Sequence, residues 1–341
     1  MDPTRTKPLG RTGRTVTVLG FGGATIGNLQ RKVSPAEAEA TVEAAWASGQ
    51  TLYDTAPHYG NGLSERRIGD ALREKPREAF TLSTKIGRIF VPAPPGSNPQ
   101  PAFVDPLPFR PVYDYTYDGV MRSFEASLHR LGLYRIDILY VHDLTPRHHP
   151  KADVFEKHWN DLFGPKGGYE ALLALRDQKV ISGFGGGVGS SEICEEMAKR
   201  GDFDLFLLAG RYTLIDQGAL ASLLPMCEER GIAIVIGGPF NSGILATGAV
   251  EGATFDYRPA SEEMLARVRR MEAICKAHGS SLPAASLDFP LHHPAVASTI
   301  PGARSAFEVE RNVATMRTSV PGDLYAELKA EGLIDPRAPT P

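Results

Sequence analysis

The sequence predicts an α/β chain closed into a (β/α)8 barrel, and three observations predict it. Eight short strand-like runs recur, TVTVLGF, TLYD, AFTLSTK, IDILYVH, VISGFG, FDLFLLA, IAIVIGG and AVASTI. Most are apolar throughout, as parallel strands covered on both faces tend to be. Amphipathic helical patterns separate them, which is the rhythm of repeated βα units. The opening segment, KPLGRTG then RTVTVLGFG, is left over and reads as a β-hairpin plugging the bottom of the barrel. An open doubly wound sheet stays as the alternative, because a strand count does not show closure.

In the hairpin, Gly10 and Gly13 supply turn conformations, and Val16 and Val18 alternate with threonines. Ser34, Pro35 and Glu37 form a capping box that opens a helix bearing Ala38, Val42, Ala45 and Trp46, with Gly49 as its stop. Asp118 is the predicted cap of a helix bearing Val120, Phe124, Leu128 and Leu131, ended by Gly132. Ser261 caps another, bearing Met264, Val268, Met271 and Cys275. Two stretches break the rhythm. Residues 88–117 hold eight prolines between Pro92 and Pro111 with aromatics among them, and residues 143–168 carry His148, His149, His158, Trp159 and Phe163. Both follow a strand and precede a helix, which places them on the C-terminal face of the single barrel domain expected over 1–341. Their aromatic content reads as pocket wall rather than disorder.

Composition bounds the function. Lys and Arg number 37 against 40 Asp and Glu, a net charge of −3 without long runs of one sign. Nucleic acid as a partner is therefore not expected, since it calls for a basic stripe. With 42% hydrophobic residues and a mean hydropathy of −0.19, a small-molecule enzyme fits better than a disordered chain. No uncharged apolar run approaches the ~20 residues of a membrane span, and MDPTRTKPLG holds no apolar leader core. Cys194, Cys227 and Cys275 sit singly in apolar helical patterns, so a cytoplasmic location is predicted. No metal-ligand spacing is present; His148-His149 lacks a second ligand pair.

Chemistry is expected at three strand ends. Asp54 follows TLY, Lys85 follows AFTLST and His142 follows IDILYV, with Tyr59 in the loop APHYGNG. In parallel strands these ends converge on one rim. A carbonyl reduced by hydride needs a proton donor at its oxygen, and an alcohol being oxidised needs the same group as base. Tyr59 suits that task if the Lys85 ammonium lowers its pKa, with Asp54 orienting Lys85 and His142 holding the substrate oxygen. Taken singly, each of these residues is more simply a loop cap, an ion-pair partner or a surface aromatic.

The segments GQTLYDTAPHYGNGLSERRIGDAL, STKIG, IDILYVHD and IPGARSAFEVERN resemble motifs of the aldo-keto reductase superfamily, over a span from Lys7 to Val320. The resemblance implies a TIM barrel, a nicotinamide cofactor and a catalytic tetrad of Asp54, Tyr59, Lys85 and His142. KPLGRTG, GFGGATIGNL and the two insertions look most like the bacterial aldose (L-fucose or D-threo-aldose) 1-dehydrogenases and pyridoxal 4-dehydrogenases. The glycines of GFGGATIG do not follow dinucleotide-fingerprint spacing; they read as turn glycines or as a strand end brought close to substrate and cofactor.

The cofactor positions depart from the family pattern. Where the resemblance implies a Ser-Asn pair after the fifth strand stands Gly185-Gly186-Gly187-Val188-Gly189, and Ala209 and Gly237 replace an expected Gln and Tyr. Arg211, Tyr212 or backbone groups are then expected to grip the nicotinamide, with Pro239, Asn241 and Gly243 of PFNSGIL beside it. At the phosphate end the resemblance implies Lys, Ser and Arg or Gln where this chain has Gly302, Ala303 and Glu308, with Arg304 and Asn312 also expected at the cofactor. A carboxylate at Glu308 repels a 2′-phosphate and can accept from a ribose diol, so NAD is favoured, with NADP possible through Arg304. His58, Phe90 and Trp159 are the candidate substrate contacts. The expected activity is oxidation of a hydroxyl or hemiacetal carbon to a lactone, an aldose 1-dehydrogenase before a pyridoxal 4-dehydrogenase or a general aldehyde reductase. A non-catalytic cofactor-binding subunit is the reading from another class. A paired-carboxylate hydrolase would need a second rim acid, for which Asp143 is the sole candidate.

Overall fold

The computed structural model describes the whole chain except Pro95 and Pro99, so those two prolines of the first insertion lie outside the described residues. Eight parallel strands form the central sheet: β1 (Phe21–Gly22), β2 (Leu52–Asp54), β3 (Thr81–Ile86), β4 (Ile138–His142), β5 (Gly183–Val188), β6 (Leu205–Ala209), β7 (Ala233–Gly237) and β8 (Val296–Ile300). Neighbours in the sheet are neighbours in sequence from β1 to β8. Parallel bridges from Leu19 to Thr299 and from Gly22 to Gly302 then join the first strand to the last. The sheet is a closed barrel, so the open alternative is excluded.

Each predicted run overlaps its strand, with two clear shifts in bounds: TVTVLGF supplies the hairpin strand Thr15–Thr17 and reaches the barrel only at Phe21. VISGFG contributes only its end, and the fifth strand runs on through the glycines to Val188. Glycine there is a steric requirement: a Cβ on Gly185 would run into the carbonyl oxygen of Leu205 on β6. The antiparallel hairpin Thr6–Pro8 and Thr15–Thr17 precedes the barrel. Its Leu9 and Val16 pack with Leu52, Ile138, Tyr140, Leu205, Val235 and Ile300 as the inner core.

Helices α1 (Pro35–Ala47), α2 (Leu63–Leu72), α3 (Tyr117–Leu131), α4 (Ala152–Phe163), α5 (Gly168–Asp177), α6 (Ser191–Arg200), α7 (Leu223–Arg230), α8 (Ile244–Thr247), α9 (Glu262–Ala277), α10 (Leu282–Asp288), α11 (Ala306–Arg317) and α12 (Gly322–Ala330) cover the outside. The capping box at Ser34 and Glu37 is present, and Ser261 caps α9. Thr116, not Asp118, caps α3: its hydroxyl accepts from the Gly119 N–H, and Asp118 lies inside the first turn. Among the described residues no helix is long and apolar enough to cross a membrane.

Strand periodicity decides which side chains enter the lumen. Alternate residues point to opposite faces, so Leu52 and Asp54 share one face, as do Ile138, Tyr140 and His142. Leu52, Ile138 and Tyr140 belong to the inner core, whereas Tyr53, Leu139 and Val141 pack against the helices. Asp54 and His142 are thus carried inward at the strands' C-terminal ends.

Candidate active site

Asp54, Lys85 and His142 meet at that rim as the periodicity requires. The Lys85 ammonium donates to Asp54 Oδ2 at 2.7 Å and to the Thr55 carbonyl at 2.8 Å, and Ser83 donates to Asp54 Oδ1 at 2.7 Å. Both members of the ion pair are buried. Burial pushes the Asp54 carboxyl up and the Lys85 ammonium down, while their contact opposes each shift. Tyr59 comes from the loop after β2, half-buried, with the Lys85 Nζ 4.8 Å from its ring centre. The Tyr59 and His142 rings meet edge to face at 6.0 Å.

The expected effect of Lys85 on the phenol is corrected here. Burial raises the Tyr59 pKa well above its ordinary value, and the Asp54 and Asp143 carboxylates raise it further. Lys85 faces the ring rather than a phenolate, and its charge is answered by Asp54.

His142 is held by a residue the sequence reading missed. Arg88 Nη1 lies 2.7 Å from His142 Nδ1, and Nη2 donates to Asp143 Oδ2 at 2.8 Å. Tyr113 OH accepts from the same nitrogen at 3.3 Å. Burial lowers the His142 imidazole well below its usual range, against the pull of Asp143. Burial alone would raise Asp143, yet His142 and Arg88 hold its carboxyl far below the ordinary range. Arg88 follows Lys85 by three positions, across Gly87, whose φ of 101° turns the chain out of the barrel. Nothing in the spacing of STKIGR reports that turn's direction, so no sequence signal pointed to Arg88.

The first insertion forms an antiparallel hairpin, Arg88–Pro92 with Phe109–Tyr113. Its Phe103 supplies the wall: it packs edge-on against His58 at 5.2 Å and lies 6.3 Å from Tyr59. His58 also meets His142 at 5.7 Å, its Nδ1 is buried without a partner, and burial lowers its pKa to about 3. Phe90 is not at this site. It stacks on Phe109 at 5.9 Å under the Arg130 guanidinium, on the hairpin's flank toward α3.

The second insertion divides. His148 Nε2 lies 3.5 Å from Asp143 Oδ2 at the rim, but the remainder winds into α4. Trp159 there packs with Phe155, Phe163 and the Arg200 guanidinium in the helical layer, so its placement as a substrate contact is corrected. A further short hairpin was not foreseen: Thr254–Phe255 pairs with Arg258–Pro259 and carries Tyr257, whose side chain is exposed. Arg211 anchors that hairpin through Asp256 at 2.7 Å.

The proposed cofactor residues fall into two groups. Tyr212 is withdrawn: its φ of 70° turns the ring into the core, tilted against Phe289 at 5.4 Å and fully buried. Asn241 gives Nδ2 to the Gly210 carbonyl at 2.9 Å and leaves a buried Oδ1 without a partner, beside Pro239 and Gly243. Near Gly302, the Arg304 Nε is likewise buried and unpaired. Ser305 caps α11 by accepting from the Glu308 N–H, and Glu308 Oε2 accepts from the Arg304 N–H at 2.8 Å, which leaves its other carboxylate oxygen available. Asn312 is buried one turn further along α11. An unpaired carbonyl acceptor and an unpaired guanidinium suit the amide and phosphates of a nicotinamide dinucleotide.

A model of the Aldo/keto reductase family matches residues 18–330. The chain is 45% identical to pyridoxal 4-dehydrogenase of Microbacterium luteolum, over 96% of this chain and 97% of that one. It is 38% identical to D-threo-aldose 1-dehydrogenase of a Pseudomonas species, over 96% and 97%. The holo form of an aldo-keto reductase from Bacillus halodurans superposes with a TM-score of 0.73 at 21% identity, covering 96% of each chain.

Proposed function

The chain belongs to the aldo/keto reductase family, whose members are nicotinamide-dependent oxidoreductases of carbonyl and hydroxyl groups, and from that premise we propose that it interconverts a cyclic hemiacetal carbon and a lactone with NAD. One observation carries the reading: a phenol, an ammonium, a carboxylate and an imidazole meet at one rim, linked by the 2.7 Å pair of Lys85 and Asp54 and the 6.0 Å contact of Tyr59 with His142. Asp54, Tyr59, Lys85 and His142 are the catalytic residues in this reading. Asn241, Arg304 and Glu308 hold the cofactor, with Pro239, Gly243, Gly302 and Asn312 shaping its groove.

When bound, the nicotinamide supplies or takes the hydride. Tyr59 exchanges the proton at the substrate oxygen, giving it up in reduction and accepting it in oxidation. His142 holds that oxygen by a hydrogen bond from Nε2. Lys85 lies over the ring face, and Asp54 keeps it charged and in place. His58 and Phe103 exclude water from one side.

Both an aldose in its ring form and pyridoxal in its internal hemiacetal offer the carbon this chemistry needs. The 45% identical relative favours pyridoxal as the second substrate reading, and a flat aromatic ring suits the edge of His58 against Phe103. Recording NADH formation with L-fucose, D-arabinose, L-galactose and pyridoxal decides between them. Turnover with none of the four, while cofactor still binds, would replace the enzyme reading by a cofactor-binding subunit. Turnover with NADP alone would remove the role given to Glu308.

A further inference from the structure

A guanidinium only donates hydrogen bonds. The 2.7 Å approach of Arg88 Nη1 to His142 Nδ1 therefore requires that nitrogen to present its lone pair. An imidazole that accepts at Nδ1 carries its proton on Nε2. The groups facing the ring agree. Arg88 and Lys85 oppose a second proton on it and Asp143 favours one, while His58 packs across it edge to face.

The second prong of Arg88 settles what Nε2 does. Asp143 Oδ2 is 2.8 Å from Arg88 Nη2 but 3.5 Å from both His142 Nε2 and His148 Nε2. At 3.5 Å a hydrogen bond is weak, and at 2.8 Å it is well formed. The carboxylate that would otherwise capture the imidazole is thus engaged by the guanidinium, and the Nε2–H is left free at the rim. The Asp143 backbone sits at φ 51°, a left-handed conformation disfavoured for a side-chain-bearing residue and retained where surrounding contacts enforce it.

We propose that Arg88 is a positioning residue: its two-pronged bond to His142 and Asp143 fixes His142 as the neutral Nε2–H tautomer and thereby as the donor to the reacting oxygen. The inference rests on the oxidoreductase reading above for its catalytic consequence, but not for the tautomer itself. Arg88 touches neither reacting atoms nor cofactor in this account.

Nitrogen-15 NMR of the histidine rings in the full, cofactor-free chain tests it, with the His142 signals assigned by their loss in His142→Gln. The wild-type ring is expected as a single neutral Nε2–H form from about pH 5 to 9. Arg88→Met frees Asp143 to face the imidazole. That variant is expected to show an imidazolium or an Nδ1–H form at neutral pH. Its kcat should fall by roughly tenfold or more, with KM altered less than about threefold, and acquire an acid-side dependence that the wild type lacks. Should Arg88→Met fold poorly around the unpaired carboxylate, Arg88→Met/Asp143→Asn removes both charges, and loss of the fixed tautomer is again expected. A wild-type Nδ1–H ring, or an unchanged tautomer and pH profile in these variants, overturns the proposal. Failure of the oxidoreductase reading shows up separately, as absence of wild-type turnover with all four substrates, and leaves the spectrum as it is.

Discussion

The Lys85 ammonium lies over the face of the Tyr59 ring, 4.8 Å from its centre. From there it polarises the phenol without ionising it, and burial keeps the proton on Tyr59 above its ordinary pKa. The sign for each direction follows. Reduction uses the protonated phenol and should be flat from pH 6 through 9, while oxidation uses the phenolate and should climb by about tenfold per pH unit over the same range. Profiles of kcat/KM in both directions check this, and an oxidation maximum near neutrality would contradict it.

Removing the phenol oxygen isolates the proton step. Tyr59→Phe is expected to lower turnover by about a hundredfold or more. NADH binding, followed by fluorescence titration, should stay nearly unchanged. Appreciable residual turnover would take Tyr59 out of its assigned role.

The Asp54 and Lys85 pair is buried on both sides, so breaking it costs more than the pair itself contributes. Asp54→Asn should destabilise the chain by about 3 kcal/mol in urea titrations and abolish activity. Asp54→Asn/Lys85→Met should regain most of that stability and remain inactive. A double variant no more stable than the single one would show that the contact is not the source of the loss.

Glutamine at position 308 keeps an oxygen to accept from the Arg304 N–H and removes the charge. Glu308→Gln should therefore keep the melting temperature within a few degrees while improving kcat/KM with NADP by about tenfold or more. No change in the NAD to NADP ratio would place the discrimination elsewhere.

In the glycine strand, Gly185→Ala forces a methyl against the Leu205 carbonyl, whereas at Gly189 the nearest atom to a Cβ is the Ala209 carbonyl oxygen at 3.3 Å. Gly185→Ala should cost roughly 1–3 kcal/mol in a urea titration, and Gly189→Ala less than about 1. Equal losses would mean that the strand has moved to accommodate both.

The barrel was legible because each strand is buried on both faces, which writes it into the sequence as a short apolar run. Asp54, Lys85 and His142 were legible for the same reason, as polar residues ending such runs. Arg88 was not, since its direction depends on the left-handed turn at Gly87. Tyr212 misled because its own positive φ sends the ring inward, and Phe90 and Trp159 because aromatic content marks a wall without saying which side of it faces the pocket. The hairpin carrying Tyr257 is two residues per strand, too short for any alternation to register.

The reacting groups stand mostly on staves of a closed cylinder, while Phe103 and His148 at its rim each arrive from an excursion. Selectivity and chemistry are therefore inherited separately in this molecule. An excursion can be exchanged for another of different length without disturbing the bonds between Asp54 and Lys85, but the two that begin at Arg88 and at Asp143 must keep those first residues, because together they fasten the imidazole.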